Sequence, residues 1–206
     1  MCFHTGLHRS KKEIEETFQA KFEPGIDFEP QDYIGFSFPQ TPVILHMQPT
    51  VITLCQWGLI PNWAKDMEIR KFTLNAKIET ITEKPSFKNS VNNRCLVIVD
   101  GFYEWKWLDE KGKQKQKYLI TLKDEPLFAL AGIWSEWTDK STGEVIKSYA
   151  IVTTQANDLM AEIHNKKKRM PVVLNHNSQK EWLDLKPIHE FAYPLYDVSL
   201  QATPVV

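Results

Sequence analysis

The cysteine at position 2, once Met1 is removed, carries a free α-amine and a thiol two carbons apart, a 1,2-aminothiol that no internal residue can supply. An α-amine with a pKa of about 7.7–8.0 is substantially neutral near pH 7. It can condense with an aldehyde, after which the thiol can close a five-membered thiazolidine ring. Taken alone, Cys2 reads first as an arbitrary second residue or a small buried apolar side chain, and it is the residues further along the chain that overturn this. The chemistry also needs a proton for the departing hydroxyl and a group that takes and returns protons as the ring closes. Glu104 and His164 are of the right types. Glu104 stands in Phe102-Tyr103-Glu104-Trp105, where apolar neighbours would raise its pKa and make it an acid near neutrality; its alternative is a strand residue facing water. His164 falls at the end of an expected helix, whose dipole favours the protonated ring, while the basic run from Lys166 to Arg169 opposes it, so the sign of its shift stays open. Its alternative is a capping or surface role. Asn75 could orient an amine or a hydroxyl without adding charge, or cap a helix beginning at Ala76, or both.

These residues need a scaffold, and 206 residues are enough to bury a substantial core. The apolar runs Val43 to Met47, Val51 to Trp57, Cys95 to Trp107, Tyr118 to Leu122, Leu127 to Trp134 and Tyr149 to Thr154 read as strands. Helices are expected from Ser10 to Phe22, where Ser10 and Glu13 have capping-box spacing and Ile14, Phe18 and Phe22 recur at i, i+4 and i+8. Others are expected over Ala76 to Ile81, Ala156 to His164, and Gln179 to Leu185 behind a Ser178/Glu181 box. Strands dominate without βαβ alternation, which predicts an α+β fold: an antiparallel, barrel-like core with a few flanking helices, in one domain over 1–206. The chemistry-bearing segments lie within 2–174, with a helix and tail over 175–206.

Composition narrows the partners. The three cysteines, Cys2, Cys55 and Cys95, are far apart with no CxxC spacing, so neither a zinc site nor a disulfide framework is expected and a reducing cytoplasm fits. No apolar stretch approaches the ~20 residues of a membrane span, and the start lacks a signal peptide's apolar core. With a net charge of −1 and a pI near 6.6, phosphate binding must rest on a local patch. One candidate is Lys166 to Arg169. The other, the lysines at 111, 113, 115 and 117 around Gly112, reads first as a solvated hairpin edge that discourages strand aggregation. Seven tryptophans are more than a core of this size needs, so some are expected on a surface.

Five segments in order, Met1-Cys2, Trp57 to Trp63 (WGLIPNW), Asn75 to Thr80 (NAKIET), Asp100 to Trp105 (DGFYEW), and Ile163-His164-Asn165 leading to Arg169-Met170-Pro171, resemble the SOS-response-associated peptidase family of abasic-site processing proteins. The resemblance implies that Cys2, freed of Met1, traps the ring-opened aldehyde of an abasic site in single-stranded DNA as a thiazolidine crosslink. It places Asn75 beside the amine and the opened sugar, gives acid/base roles to Glu104 and His164, and implicates the same residues in autoproteolytic removal of Met1. It calls for no cofactor and no metal. The expected partner is single-stranded DNA containing abasic sites, with a monomer as the default and a cytoplasmic location, nucleoid-associated when engaged.

For DNA binding, Lys77 and Arg169 are candidates for phosphates flanking the lesion, with hydroxyls from Thr153 and Thr154. Trp63 and Trp57 could stack on a base, with core packing the default for Trp57. Three departures from the family pattern stand out. His4 replaces an arginine, which makes that phosphate contact depend on pH. Lys77 replaces an arginine and loses the bidentate fork. The stretched spacing from His164 to Arg169 leaves either Lys166 or Arg169 to take the place of another arginine. Two other classes remain: an N-terminal-nucleophile hydrolase acting on amides, and a non-covalent single-strand binding module.

Overall fold

The computed structural model describes residues 2–205. In chain order the elements are β1 (His4–Leu7), α1 (Lys11–Phe18), β2 (Lys21–Phe22), β3 (Gln31–Ile34), β4 (Gln40–Leu45), β5 (Val51–Trp57), β6 (Asn75–Lys77), β7 (Arg94–Val99), β8 (Gly101–Trp107), β9 (Lys115–Leu122), β10 (Phe128–Thr138), β11 (Val145–Gln155), α2 (Asp158–Ile163), β12 (Arg169–Pro171), β13 (Val173–Leu174), α3 (His176–Leu183) and β14 (Leu200–Pro204). Among the described residues no helix is long and apolar enough to cross a membrane.

The core is a closed ring of five strands. β5, β4, β7, β10 and β11 pair antiparallel in that order, and β11 returns to β5 through a parallel pairing, Ser148 with Gln56 and Tyr149 with Trp57. Closure removes open edges and leaves β7 and much of β10 and β11 buried on both faces. That is why these strands read as continuous apolar runs rather than as alternating ones. The expected barrel-like, strand-dominated fold is therefore present, with parallel pairings of β5 and β6 on β11 that an antiparallel reading omits.

A second sheet, ordered β14, β9, β8, β1, β3, lies beside the ring. It is made possible by a break at Asp100, which divides the single apolar run Cys95 to Trp107 into β7 of the ring and β8 of the sheet. The Asp100 amide donates to Gly6 O at 3.0 Å, and its carboxylate accepts from the His8 amide at 2.6 Å. Both contacts fix β1 against the break. β1, a four-residue strand with an internal glycine that no apolar pattern announces, is thereby held between β8 and β3.

Other expectations are corrected by local geometry. The Ser10 capping box is formed, but α1 ends at Gln19 in the left-handed region (φ 51°). Phe22 belongs to β2, where it pairs with Ile52; its helical spacing from Phe18 is coincidental. The segment from Asn75 is no α-helix. Residues 75–77 pair in parallel with Ile151, Val152 and Thr153, and only Ile78–Thr80 turn, as a 3-10 helix. α3 begins earlier than expected, capped by Asn175, whose side chain accepts from the Ser178 amide at 2.9 Å. Ser178 lies inside the helix and bonds Tyr196 instead. The tail adds β14, paired with β9, where Leu-Gln-Ala-Thr-Pro carries little strand signal.

Candidate functional site

Cys2 precedes β1 and is fully buried. The register Thr5 with Phe102 and Gly6 with Gly101, run back toward the chain start, brings Cys2 to the level of Glu104 and Trp105. Alternation along β8 turns Phe102 and Glu104 inward and Tyr103 and Trp105 outward. Glu104 is accordingly 4 % exposed, not a strand residue facing water. From β6, Asn75 Nδ2 donates to the Cys2 carbonyl at 2.9 Å. Its Oδ1 is buried without a hydrogen-bond partner among the described residues. β6 therefore gives Asn75 to the site as a strand residue, and the helix-capping alternative falls away.

His164 caps the C-terminus of α2, and its Nδ1 lies 2.7 Å from Arg169 O. A carbonyl only accepts, so Nδ1 holds the proton and Nε2 is the lone-pair nitrogen of the neutral ring. That Nε2 lies 4.0 Å from Glu104 Oε2. Asn165, next in the chain, ties this turn to β8: its Oδ1 accepts from the Trp107 amide at 3.1 Å and its Nδ2 donates to Trp107 O at 2.9 Å. Lys106, paired with Glu162 of α2 at 2.5 Å, adds a second tie. Neither was singled out from sequence, although Asn165 sits within the quoted motif.

Burial sets the electrostatics. Desolvation raises the Glu104 carboxyl to about 7. The same cause, aided by Lys167 and Arg169, lowers the His164 ring to about 4, which settles the direction left open by sequence. The Cys2 thiol is pushed well above its ordinary value, by burial and then by the Glu104 charge. Near neutrality the cluster thus holds a neutral thiol, a neutral imidazole, and a carboxyl poised to give or take a proton. A cavity of about 260 Å³, lined by Phe3, Phe36, Lys71, Phe72, Leu74 and Asn75, opens beside it. Phe72 and Phe36 are strongly exposed there, a lining that isolated phenylalanines in sequence do not reveal.

The expected DNA-contact residues divide. Lys77 is exposed at the end of β6, and Lys166 is exposed in the turn after α2. Trp63 is half-exposed on the loop after β5, its Nε1 donating to Pro85 O at 3.3 Å. Arg169 is already occupied. Its guanidinium holds Glu79 through two bonds of 2.7 and 2.9 Å and donates to Thr153 O at 2.8 Å, so a phosphate would have to displace Glu79. The His164–Arg169 turn closes through Lys168 N to His164 O at 2.8 Å, and β12 begins at Arg169, so the stretched spacing returns Arg169, not Lys166, to Thr153 of β11.

Two expectations fail on burial or bonding. Thr153 and Thr154 are buried in β11, the first bonded to Arg169, the second accepting from the Tyr193 amide at 3.0 Å, and neither hydroxyl faces outward. His4 has its Nε2 3.1 Å from Asp32, and burial, helped by the Lys117 charge, lowers its pKa, so it offers no cation to a phosphate at neutral pH. Trp57 takes its default place in the core, fully buried with Nε1 donating to Leu74 O at 2.9 Å and its ring stacked on Tyr149, so its alternative role in stacking on a base is excluded. Trp57→Ala is expected to cost about 3–5 kcal/mol. A urea midpoint within error of the parent's would contradict its place in the core.

Three comparisons bear on this arrangement. A family model described as SOS response associated peptidase matches residues 1–205. The chain is similar to abasic site processing protein YoaM of Bacillus subtilis, 38 % identical over 188 residues that cover 90 % of this chain and 80 % of the relative. It is also similar to abasic site processing protein HMCES of Xenopus tropicalis, 30 % identical over 196 residues, covering 80 % of this chain and 55 % of the relative. Among solved structures, a protein from Bacteroides thetaiotaomicron superposes with a TM-score of 0.89 at 33 % identity, covering all of this chain and 92 % of that one.

Proposed function

Because the chain belongs to the SOS response associated peptidase family, we propose that it processes abasic sites in single-stranded DNA by forming a covalent thiazolidine through Cys2 after loss of Met1. The observation that carries this reading is a chain of contacts from three separate elements that starts at the residue which becomes the N-terminus: Asn75 donates to the Cys2 carbonyl, the Glu104 charge acts on the Cys2 thiol, and His164 Nε2 lies 4.0 Å from Glu104. The relatives named as abasic site processing proteins supply the substrate class.

The steps follow from the chemistry of the groups. The neutral α-amine adds to the aldehyde carbon of the ring-opened sugar, giving a carbinolamine. Glu104, protonated in part near neutrality, gives a proton to the departing hydroxyl, and water leaves an iminium. The thiol sulfur then attacks the same carbon. The Glu104 carboxylate left by that step, a stronger base at about 7 than the His164 ring at about 4, takes the thiol proton as sulfur bonds to carbon, with His164 Nε2 placed 4.0 Å away to relay it. The sum is aldehyde plus aminothiol giving thiazolidine plus one water. Asn75, anchored to the Cys2 carbonyl, keeps Oδ1 available to orient the amine or a sugar hydroxyl. In this reading Met1 leaves by autoproteolysis with the same carboxyl and imidazole, and the chain works as one domain and as a monomer. Lys77 and Trp63 are the exposed candidates for a phosphate and a base beside the lesion.

Intact-protein mass spectrometry, before and after incubation with a single-stranded oligonucleotide carrying one abasic site, tests the proposal. A Met1-free protein is expected to gain the oligonucleotide mass less one water, stable to heat and denaturant. Met1-free protein that gains nothing would overturn it.

A further inference from the structure

The sheet that holds β1 has one face on the core, and its other face carries a lining that neither the core nor the Cys2 cluster uses. Along β8 the outward residues are Tyr103, Trp105 and Trp107, all partly exposed. Opposite them β9 sets Lys117 beside Trp105 and Lys115 beside Trp107. The Lys117 ammonium lies 3.8 Å from the Tyr103 ring centre and 5.7 Å from that of Trp105. Lys115 and, from the turn after α2, Lys166 lie 5.0 and 5.3 Å from the Trp107 ring centre. Among the described residues none of these three lysines is in an ion pair with a carboxylate, whereas Lys106, between the tryptophans but facing inward, is paired with Glu162.

The far end of the row is shaped as well. Gly112 at the hairpin turn packs so closely on Trp107 that an added Cβ would fall 2.6 Å from its ring, which fixes the ring against the turn. Asp109 is consumed in that turn, accepting from the amides of Lys111, Lys113 and Gln114, so Glu110 is the carboxylate left at that end. An open cavity of about 670 Å³ lies beside Trp107, Glu110 and Lys166.

Aromatic faces alternating with mobile cations are what a sequence-tolerant single-strand binder needs, each stacked base contributing about 1–3 kcal/mol. Spacing favours an extended strand. Rings two residues apart on a β-strand are about 6.6–6.8 Å apart, roughly twice the 3.4 Å per phosphate of a strand in duplex DNA. Each lysine reaches its ring on a flexible stem and can pass to a phosphate as a base takes the ring. We propose that this outer face, from Tyr103 to Trp107, is a stacking platform for two or three undamaged nucleotides of single-stranded DNA flanking the lesion. It rests on the reading of the Cys2 site as one for single-stranded DNA, and it begins at His4, two residues from Cys2, whose ring lies 4.3 Å from that of Tyr103.

The test uses the full chain and a fluorescein-labelled oligothymidine without any abasic site, read by anisotropy. Trp107→Ala is expected to weaken binding about fivefold or more, Trp107→Phe to retain most of it, and Lys115→Gln to reduce the slope of log Kd against log salt by about 0.7. Unchanged affinity in folded Trp107→Ala overturns the platform. Should that variant not fold, an unchanged slope and affinity in Lys115→Gln does so. Separate incubation with an abasic oligonucleotide keeps the two readings apart: variants that lose oligothymidine affinity in a chain forming no adduct would uphold the platform and sink the crosslink, and the converse pattern would do the reverse.

Discussion

Cys2→Ala and Cys2→Ser are each expected to give no heat-stable adduct with an abasic oligonucleotide unless borohydride is present. Both variants keep the α-amine and lose the thiol, so adding or omitting the reductant separates the two nucleophiles of one residue. Serine keeps the α-amine, so the imine still forms and can be reduced to a stable amine. Its hydroxyl is a far poorer nucleophile than sulfur, so the reversible imine is not drawn into a ring. Alanine also keeps an α-amine, and borohydride should trap its imine too, but without reduction it has nothing to close with. The buried setting of Cys2 makes both substitutions small changes of volume, and Met1 removal must be confirmed by mass for each. A stable, unreduced adduct from Cys2→Ala would show that another residue is the nucleophile. The expected effect is a complete loss, the largest of any variant considered.

The second large effect is tied to pH. Glu104→Gln is expected to slow adduct formation by about a hundredfold or more and to abolish the alkaline decline in rate. Burial holds the Glu104 carboxyl at about 7, so the proton donor is lost as pH rises through that value. The α-amine, with an ordinary pKa of about 7.7–8.0, loses its nucleophilic form as pH falls. The rate should therefore pass through a maximum near neutrality, and a glutamine at 104 should leave only the amine limb. Stability carries the same signature. A carboxyl whose pKa is raised by folding contributes stability that is fully present below its unfolded value, about 4.3, and lost as pH rises through about 7. Relative to the parent, Glu104→Gln should thus gain stability between pH 5 and pH 8.5, read from urea midpoints. Equal pH profiles for the two proteins would remove Glu104 from the chemistry.

The cluster around Cys2 was legible because Cys2 holds the one position where loss of Met1 exposes an aminothiol, because its partners fall in short motifs in a fixed order, and because an apolar neighbourhood forecasts a raised carboxyl. The fold was legible where apolar runs lie in the closed ring: Val51–Trp57 is a strand over the very residues its pattern picks out. What sequence withheld were long-range matters. Nothing local says that Arg169 will find Glu79, 90 residues away, or that β11 is covered on both faces so that Thr153 and Thr154 are both inside. The two tryptophans of Trp57 to Trp63 look alike in the motif, yet one closes the ring against β11 and the other sits on a loop. The segment from Asn75 offered a capping residue before an alternation too short to separate strand from helix. Its parallel pairing with β11 decided the matter.

The position of β1 between β8 and β3 has a consequence for how the protein matures. Residues 2 to 7 are among the first to be made, but the strands that flank them and the turn bearing His164 come later in the chain, the last more than 150 residues on. No nascent fragment that stops short of His164 can complete the cluster around Cys2, and such distant pairings are slow to form. In the proposed mechanism the aminothiol is therefore unmasked only after the barrel has closed. On that mechanism, loss of Met1 is a record of completed folding, and chains truncated before His164 keep their reactive end capped.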